Sequence, residues 1–428
     1  MRVIVHSLGC RVNHYESEVL AQRLNGVDDN RTLHLVNTCI VTSLAERKGR
    51  KLVRRLRREA PESLVVAVGC QATLSAENLV QAGADLVVPN HNKSRLPQLL
   101  AACLSTSEHE PACAKGQAWP SLDEEQLLGP VGRTRAVLKV QDGCAGECSY
   151  CLTRRARGPL RSKNPEVVIG EARRLVAGGH KELVLTGVNL GQYGSETQGG
   201  PGLSALLEAL VAAVPEARFR LSSLGPEALT ERLIEFIACT PRVCPHLHLP
   251  LQSGDDRVLR RMRRPYTAAD YRERVRYFLD SVPAATFGTD VMTGFPGEDT
   301  RAHRRTVQLL HSLKPLNTHI FRFSPRPGTE ASQLGPLVPK ERARARAEHL
   351  DGLTTRWSLA ARESFLGVRL HVLVERLHSG TAWGHSENYL YVGFTTSQPR
   401  RGTIAPVRIV YVDPTCTMGV KEYQRINV

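Results

Sequence analysis

The chain lacks any apolar run long enough to span a bilayer, and its first ten residues, MRVIVHSLGC, lack the basic, apolar and small-residue regions of a signal peptide. A membrane-embedded or exported protein is not expected, and the cytoplasm is the expected address. Also missing is the dense, even cysteine pattern of a disulfide-stapled domain: eleven cysteines, an odd number, are spread over 428 residues. Thiols so arranged are expected to stay reduced and act as ligands. Acidic residues are in deficit, 42 against 57 Lys and Arg, which leaves a formal charge of +15. A polyanionic partner follows, with tRNA or another RNA ahead of a membrane surface because no lipid anchor is visible.

What is present is length and 41% hydrophobic content, enough for two or three domains with separate cores. Eight of the twelve residues in 47–58 (RKGRKLVRRLRR) are basic. Their periodicity is that of a helix with Leu52 and Leu56 facing inward. Eight uncompensated cations on one helix repel one another without a counterion, which points to phosphate binding.

The most specific signal is Cys144, Cys148 and Cys151 in VQDGCAGECSYC. Structural zinc needs four N or S ligands, and no histidine follows at a workable distance. Three thiolates instead satisfy three irons of a four-iron cluster and leave the fourth open. An open iron on a reduced cluster binds the amino and carboxylate groups of S-adenosylmethionine and passes an electron into its sulfonium, giving a 5′-deoxyadenosyl radical.

From residue 1 to about 100, strand and helix alternate: strands near 3–5, 33–36, 64–68 and 86–88, with helices from Glu16, Ser43 and Ser75 and one ending near Leu104. This predicts an α/β domain on a parallel sheet. Cys10, Cys39 and Cys70 each fall just beyond one of the first three strands, so they share the carboxyl rim where ligands bind. A shared metal site is expected there. Residues from about 105 to 130 read as a linker, rich in Pro, Gly and acid. Six further strand–helix units, with strands near 137–140, 183–186, 219–222, 246–251, 286–292 and 319–323, predict a partly opened (β/α)6 barrel. A basic helix over 340–363 precedes short, punctuated strands near 368–373, 389–392 and 404–412, the pattern of a small antiparallel β-barrel. The expected boundaries are 1–110, a linker 111–131, 132–363 and 364–428.

The run CxxxCxxC with Tyr150 before its last cysteine resembles the radical S-adenosylmethionine signature, which implies that the Tyr150 ring lies near the adenine. The resemblance extends along nearly the whole chain to the methylthiotransferases. LGCRVNHYESE, NTCIVTSLAERKGR and VGCQAT are similar to that family's three N-terminal ligand motifs, RLSSLGP, HLPLQSGDDRVLRRMRRPYT, TDVMTGFPGE and FSPRPGT to its barrel motifs, and GHSENYLYV to its RNA-binding TRAM barrel. The resemblance implies two [4Fe-4S] clusters, one on Cys10, Cys39 and Cys70 and one on Cys144, Cys148 and Cys151, all six cysteines serving catalysis. It also implies S-adenosyl-L-methionine and an electron donor such as flavodoxin or ferredoxin.

Arg-Val-Asn after Cys10, and Val-Thr followed by Ala-Glu-Arg-Lys after Cys39, resemble the branch acting on threonylcarbamoyladenosine beside the tRNA anticodon. The implied reaction inserts a methylthio group at carbon-2 of the adenine. An anticodon-loop base is splayed out at less cost than one in a duplex. Rival readings are a methylthiotransferase acting on isopentenyladenosine or on a ribosomal-protein aspartate, and a non-catalytic iron–sulfur RNA-binding protein. Asn189, Tyr193, Ser222, Ser223 and Gln252 follow strand ends and are candidate cofactor contacts. His246 and His248 share a strand face, where a hydrogen-bonded core histidine is the commoner role. Gly225 stands where the family commonly has an acidic residue, and Cys103, Cys113, Cys239, Cys244 and Cys416 fit no ligand spacing.

Overall fold

The computed structural model describes residues 1–25, 30–105, 112–113, 119–397 and 400–422. Residues 111 and 114–118 of the expected linker, the side chain of Cys113 and residues 423–428 lie outside the described residues. The chain forms two compact units: Met1–Val131, Val137–Arg174 and Thr186–Gly202 make the first, and Gly132–Ala136, Leu175–Leu185 and Leu203–Val428 the second. No helix among the described residues is long and apolar enough to cross a membrane.

The first unit opens with β1 (Arg2–Ser7), α1 (Arg11–Leu24), β2 (Thr32–Thr38), α2 (Ser43–Glu59), β3 (Leu64–Gly69), α3 (Cys70–Leu74), α4 (Ala76–Val80), β4 (Leu86–Pro89), α5 (Leu96–Ser105) and β5 (Ala112–Cys113). The strands form one parallel sheet in the order β1-β2-β3-β4-β5. β3 reads Leu-Val-Val-Ala-Val-Gly and is buried throughout, the near-continuous apolar run of a parallel strand covered on both faces. Alternate residues serve opposite faces. Leu33, Leu35, Val66 and Val68 pack with Leu20 and Leu24 of α1 and Leu96 and Leu100 of α5. Val36, Val65 and Ala67 pack with Val53 and Leu56 of α2, Ala72 and Leu79. Leu56 is thus internal as expected, whereas Leu52 is only half-buried.

β6 (Ala136–Lys139), β7 (Gln141–Asp142), α6 (Thr153–Arg157), β8 (Arg161–Ser162) and α7 (Pro165–Ala177) follow. β7 and β8 pair antiparallel and clasp the base of the loop that carries Cys144, Cys148 and Cys151. The described end of the expected linker is packed against this unit. Leu122 and Leu127 are buried, the Leu127 amide donates to Glu171 Oε1 at 3.0 Å, and Arg161 lies 4.9 Å over the Trp119 ring.

In chain order the barrel elements continue as β9 (Glu182–Thr186), α8 (Leu203–Ala213), β10 (Arg218–Leu221), α9 (Glu231–Cys239), β11 (His246–His248), α10 (Asp256–Arg261), α11 (Ala268–Ser281), β12 (Thr286–Thr293), α12 (Thr300–Leu313), β13 (Asn317–Arg322) and α13 (Lys340–Glu363). All six expected strands form. β9 with β10, β11 with β12 and β12 with β13 pair in parallel, and a bridge from Ser223 to His248 carries the order from β10 to β11. Helix starts follow their caps: Thr267 and Asp270 form a reciprocal capping box on α11, and Asp299 caps α12.

The C-terminal barrel comprises β14 (Arg369–His378), β15 (Thr381–His385), β16 (Tyr391–Thr395), β17 (Ile404–Val412) and β18 (Thr417–Lys421), closed in the order β14-β15-β16-β18-β17. β15 and β18 are short and glycine-interrupted, and the sequence reading passed over both. The seam between β16 and β18 is parallel. A closed ring of five strands cannot alternate direction at every seam, so the expected antiparallel barrel holds one parallel pair.

A latch of buried charge holds this barrel within the second unit. Glu182 Oε2 accepts from Arg218 Nε and Glu182 Oε1 from Arg220 Nε, both at 2.7 Å. The two guanidinium groups then donate to the carbonyls of His371, His385, Ser386 and Glu387. Thr286 Oγ1 donates to the carbonyl of Asn388, and the Tyr389 ring stacks on His246 at 4.4 Å. Residues 384–392, the TRAM-like motif, therefore contribute directly to this packing.

Candidate functional site

Cys10, Cys39 and Cys70 follow β1, β2 and β3, three neighbouring strands, and so gather on one rim of the sheet. Two glycines make the gathering possible. Gly9 has φ +96°, and a β-carbon there would stand 2.5 Å from Cys39 Cβ and 2.6 Å from its Sγ. Gly69, with φ +101°, would place one 2.4 Å from Asn37 Oδ1. Gly9 thus makes room for Cys39, and Gly69 for the end of β2 at Asn37 and Thr38.

Asn13 fixes the rim, since its amide donates to the carbonyls of Leu8 at 2.8 Å and Thr38 at 2.9 Å. Its Oδ1 faces Cys10 Sγ at 3.8 Å. Asn90 Nδ2 faces Cys70 Sγ at 3.7 Å and donates to the Ala156 carbonyl at 2.7 Å. Cys10 stands exposed on the rim, while Cys39 and Cys70 are buried. Burial pushes the Cys39 thiol up to about 12, and the neighbouring Cys10 and Cys70 add to the rise. Although the residue is exposed, the protein packed around its sulfur also raises the Cys10 thiol, opposed by the Arg157 cation. The three thiols thus feel one another's charge beside the buried Arg157 cation.

Cys144, Cys148 and Cys151 occupy the loop between β7 and α6. Backbone donors point at two of the sulfurs: Gly146 N to Cys144 Sγ at 3.2 Å, and Thr153 N to Cys151 Sγ at 3.3 Å. The Cys151 amide also donates to the Cys148 carbonyl at 3.1 Å, tightening the turn. Such N–H groups stabilise sulfur-borne negative charge. Burial raises the Cys151 thiol, and the hydrogen bonds from Thr153 oppose it.

The two triplets are joined by a buried network that sequence reading missed. Arg157, 1% exposed, donates to Glu16 Oε1 at 2.8 Å, to Asp142 Oδ1 at 2.9 Å and to Asn13 Oδ1. Lys139 Nζ donates to Glu16 at 2.8 Å, Glu125 at 2.6 Å and Asp142 at 2.8 Å, and Lys93 also reaches Glu16. Three carboxylates face three cations, which satisfies the rule that buried charge must be paired. Despite the opposing effect of burial, Arg157, Lys139 and Lys93 hold the Glu16 carboxyl well below its usual range. The one available signal was the set of charged residues inside otherwise apolar, motif-dense segments.

The softer candidates divide between the units. In the first, Asn189 N donates to Gln141 Oε1 at 3.0 Å, while Asn189 Oδ1 is a buried acceptor without a protein partner. Tyr150 sits half-buried between Cys148 and Cys151, and Tyr193 is buried with its hydroxyl on the Lys163 carbonyl at 2.6 Å. In the second unit, Ser222 is buried with Oγ unpartnered, and Gln252 takes φ +67°, a left-handed conformation rare outside glycine. Gly225 Cα points at the Glu227 carboxylate: a β-carbon there would lie 2.1 Å from Glu227 Oε1, so an acidic group stands beside this position from two residues along.

His246 is the satisfied core histidine expected, buried with Nδ1 2.7 Å from Thr286 Oγ1. His248 differs. Asp290 Oδ1 lies 2.9 Å from His248 Nε2 and 3.2 Å from His319 Nδ1, and these groups form the one compact metal-capable set of closely spaced ligand atoms among the described residues. Burial raises Asp290, but the two histidine hydrogen bonds prevail and bring it down to about 2.

A family model described as the radical SAM superfamily matches residues 138–310, and one described as uncharacterized protein family UPF0004 matches residues 2–89. The threonylcarbamoyladenosine tRNA methylthiotransferase MtaB of Thermotoga maritima is 33% identical over 95% of this chain and 94% of its own length. The tRNA-2-methylthio-N(6)-dimethylallyladenosine synthase of Pelotomaculum thermopropionicum is 31% identical over 99% of this chain and 97% of its own. Among solved structures, the radical S-adenosylmethionine methyltransferase TsrM of Kitasatospora setae aligns with TM-score 0.55 at 15% identity, covering 78% of this chain and 75% of that one, a likeness of fold.

Proposed function

The chain belongs to the radical S-adenosylmethionine methylthiotransferases, and on that premise we propose that it inserts a methylthio group at carbon-2 of N6-threonylcarbamoyladenosine beside the tRNA anticodon. Its cofactors are S-adenosyl-L-methionine and [4Fe-4S] clusters. We assign one cluster to Cys144, Cys148 and Cys151 and one to Cys10, Cys39 and Cys70. The residues suit these groups: each trio would leave one iron without a protein ligand, and the unpartnered Asn189 Oδ1, in the same unit as both trios, is the kind of buried polar atom a bound cofactor satisfies. When bound, the groups supply the radical that takes hydrogen from carbon-2 and the sulfur that replaces it.

The chain's own side chains hold and orient. Gly146 N and Thr153 N direct hydrogen bonds at the Cys144 and Cys151 sulfurs that would hold a cluster, Asn13 locks the ends of β1 and β2, and Arg157 keeps a cation beside Cys10. Exposure of Cys10 leaves the N-terminal rim open to a substrate base. The carrying observation is that both cysteine trios belong to one compact unit and are bound together through Arg157 and Glu16.

The threonylcarbamoyl assignment rests on the Arg-Val-Asn and Ala-Glu-Arg-Lys motifs and on the activity named for the Thermotoga relative. The dimethylallyl activity named for the Pelotomaculum relative is the competing reading. Mass spectrometry of tRNA nucleosides from a deletion strain separates them. We expect the methylthio form of threonylcarbamoyladenosine to vanish and to return on complementation; loss of the methylthio isopentenyl nucleoside instead overturns the assignment.

A further inference from the structure

The basic helix α2 does not present eight equivalent cations. Arg50 pairs with Glu46 at 2.8 Å, Arg57 with Asp85, and Arg55 and Arg58 lie 3.6 and 3.8 Å from Glu59. Arg47, Lys48, Lys51 and Arg54 have no acidic partner among the described residues. Lys48, Lys51, Leu52 and Arg55 follow the i, i+3, i+4, i+7 spacing of a single stripe, and that stripe faces β1, the edge strand of its sheet.

Between them lies a cavity of about 460 Å³ lined by Lys48, Lys51 and Arg55 on one side and His6, Ser7 and Leu8 on the other. No carboxylate lines it. His6 Nε2 is 3.0 Å from His34 Nδ1, and Ser7 Oγ is buried without a hydrogen-bond partner. Lys48, Lys51, Arg55, His6 and the Ser7 hydroxyl thus line one cavity; Arg55 shares Glu59 at 3.6 Å, while the two lysines have no acidic partner among the described residues. Burial lowers the His6 imidazole, and the neighbouring His34 and Arg55 lower it further. The volume is many times the roughly 30 Å³ share of one water, room for a phosphate with its sugar.

We propose that this cavity binds a backbone phosphate of RNA, the phosphodiester being the anion that Lys48, Lys51, Arg55 and Ser7 together recognise. The proposal rests on the tRNA reading above and gives that RNA a holding point on the segment that leads through Gly9 to Cys10. Cations on phosphate position a nucleic acid without reading its sequence.

The test is fluorescence anisotropy of a labelled tRNA titrated with the full-length reconstituted protein over a range of salt. K48A/K51A is expected to weaken binding about tenfold and to reduce the slope of log K against log salt by about 2. R47A/R54A, an equal charge loss on the same helix outside the cavity, is expected to stay within about threefold. Equal losses for the two pairs, or an unchanged slope for K48A/K51A, overturn the proposal. So does calorimetry in which AMP or inorganic phosphate binds in a Lys48- and Lys51-dependent way while tRNA affinity is indifferent to both. Iron content and thermal midpoint confirm that each variant is folded. A wild-type protein that binds no tRNA defeats the functional reading itself, a distinct result.

Discussion

Arg157 Nη1 donates to Glu16 Oε1 at 2.8 Å, tying a side chain six positions after Cys151 to one six positions after Cys10. The segments that carry the two cysteine trios are therefore joined by a buried, charge-balanced contact.

If the trios divide the labour as proposed, their variants should separate. Cys148→Ala is expected to abolish formation of 5′-deoxyadenosine, whereas Cys39→Ala should retain it and lose methylthiolated tRNA. Iron and labile sulfide per chain should fall to about half in either variant, because two four-iron clusters hold about twice the iron of one. Methylthiolated product from Cys39→Ala would refute the role given to the N-terminal trio.

Gly9→Ala should reproduce the Cys39 phenotype without touching a cysteine. Its β-carbon would stand 2.5 Å from Cys39 Cβ, at a φ of +96° that alanine disfavours. Halved iron with 5′-deoxyadenosine formation retained is the expected result, checked by iron assay and chromatography. Full iron occupancy would show that the rim tolerates the displacement.

Glu16→Gln leaves Lys93, Lys139 and Arg157 short of a buried carboxylate and is expected to cost about 3–5 kcal/mol in denaturant unfolding. The pH dependence follows in sign. Cation partners hold the Glu16 and Asp142 carboxyls below their unfolded values, against the opposing effect of burial. Their contribution is therefore complete above the unfolded carboxyl range of about 4 and is lost as pH falls through the folded values. Wild-type stability should lose this contribution only below about pH 4, and the Gln variant should lose less of it there.

Arg220→Ala removes the donors to Ser386 and Glu387 and leaves Glu182 with Arg218 alone. Limited proteolysis should then cut faster at Arg362 and Arg369, in the last turn of α13 and at the start of β14. An unchanged cleavage rate would mean that the barrel is held by its other contacts.

The elements legible in the sequence are those whose signal is local. Apolar runs such as 64–68 marked the buried parallel strands, since a strand covered on both faces admits no polar alternation. Recurrence of cysteine after three of them put Cys10, Cys39 and Cys70 on one rim, because parallel strands end together. β15 and β18 escaped because a five-residue strand with a glycine depends on its neighbours more than on its own propensity. The parallel seam of the small barrel is a property of ring closure, which no single segment contains.

By itself, then, the sequence determined which thiols are grouped, the radical S-adenosylmethionine family they point to, and an excess of positive charge. Only the tertiary structure decided what surrounds those thiols. Arg157 beside Cys10, Glu16 among three cations, and Lys48 lining one cavity with Ser7 are all meetings across the fold. The reason is range: hydrophobic periodicity and ligand spacing act over a few residues, whereas charge pairing is set by distances that exist only once the chain is packed.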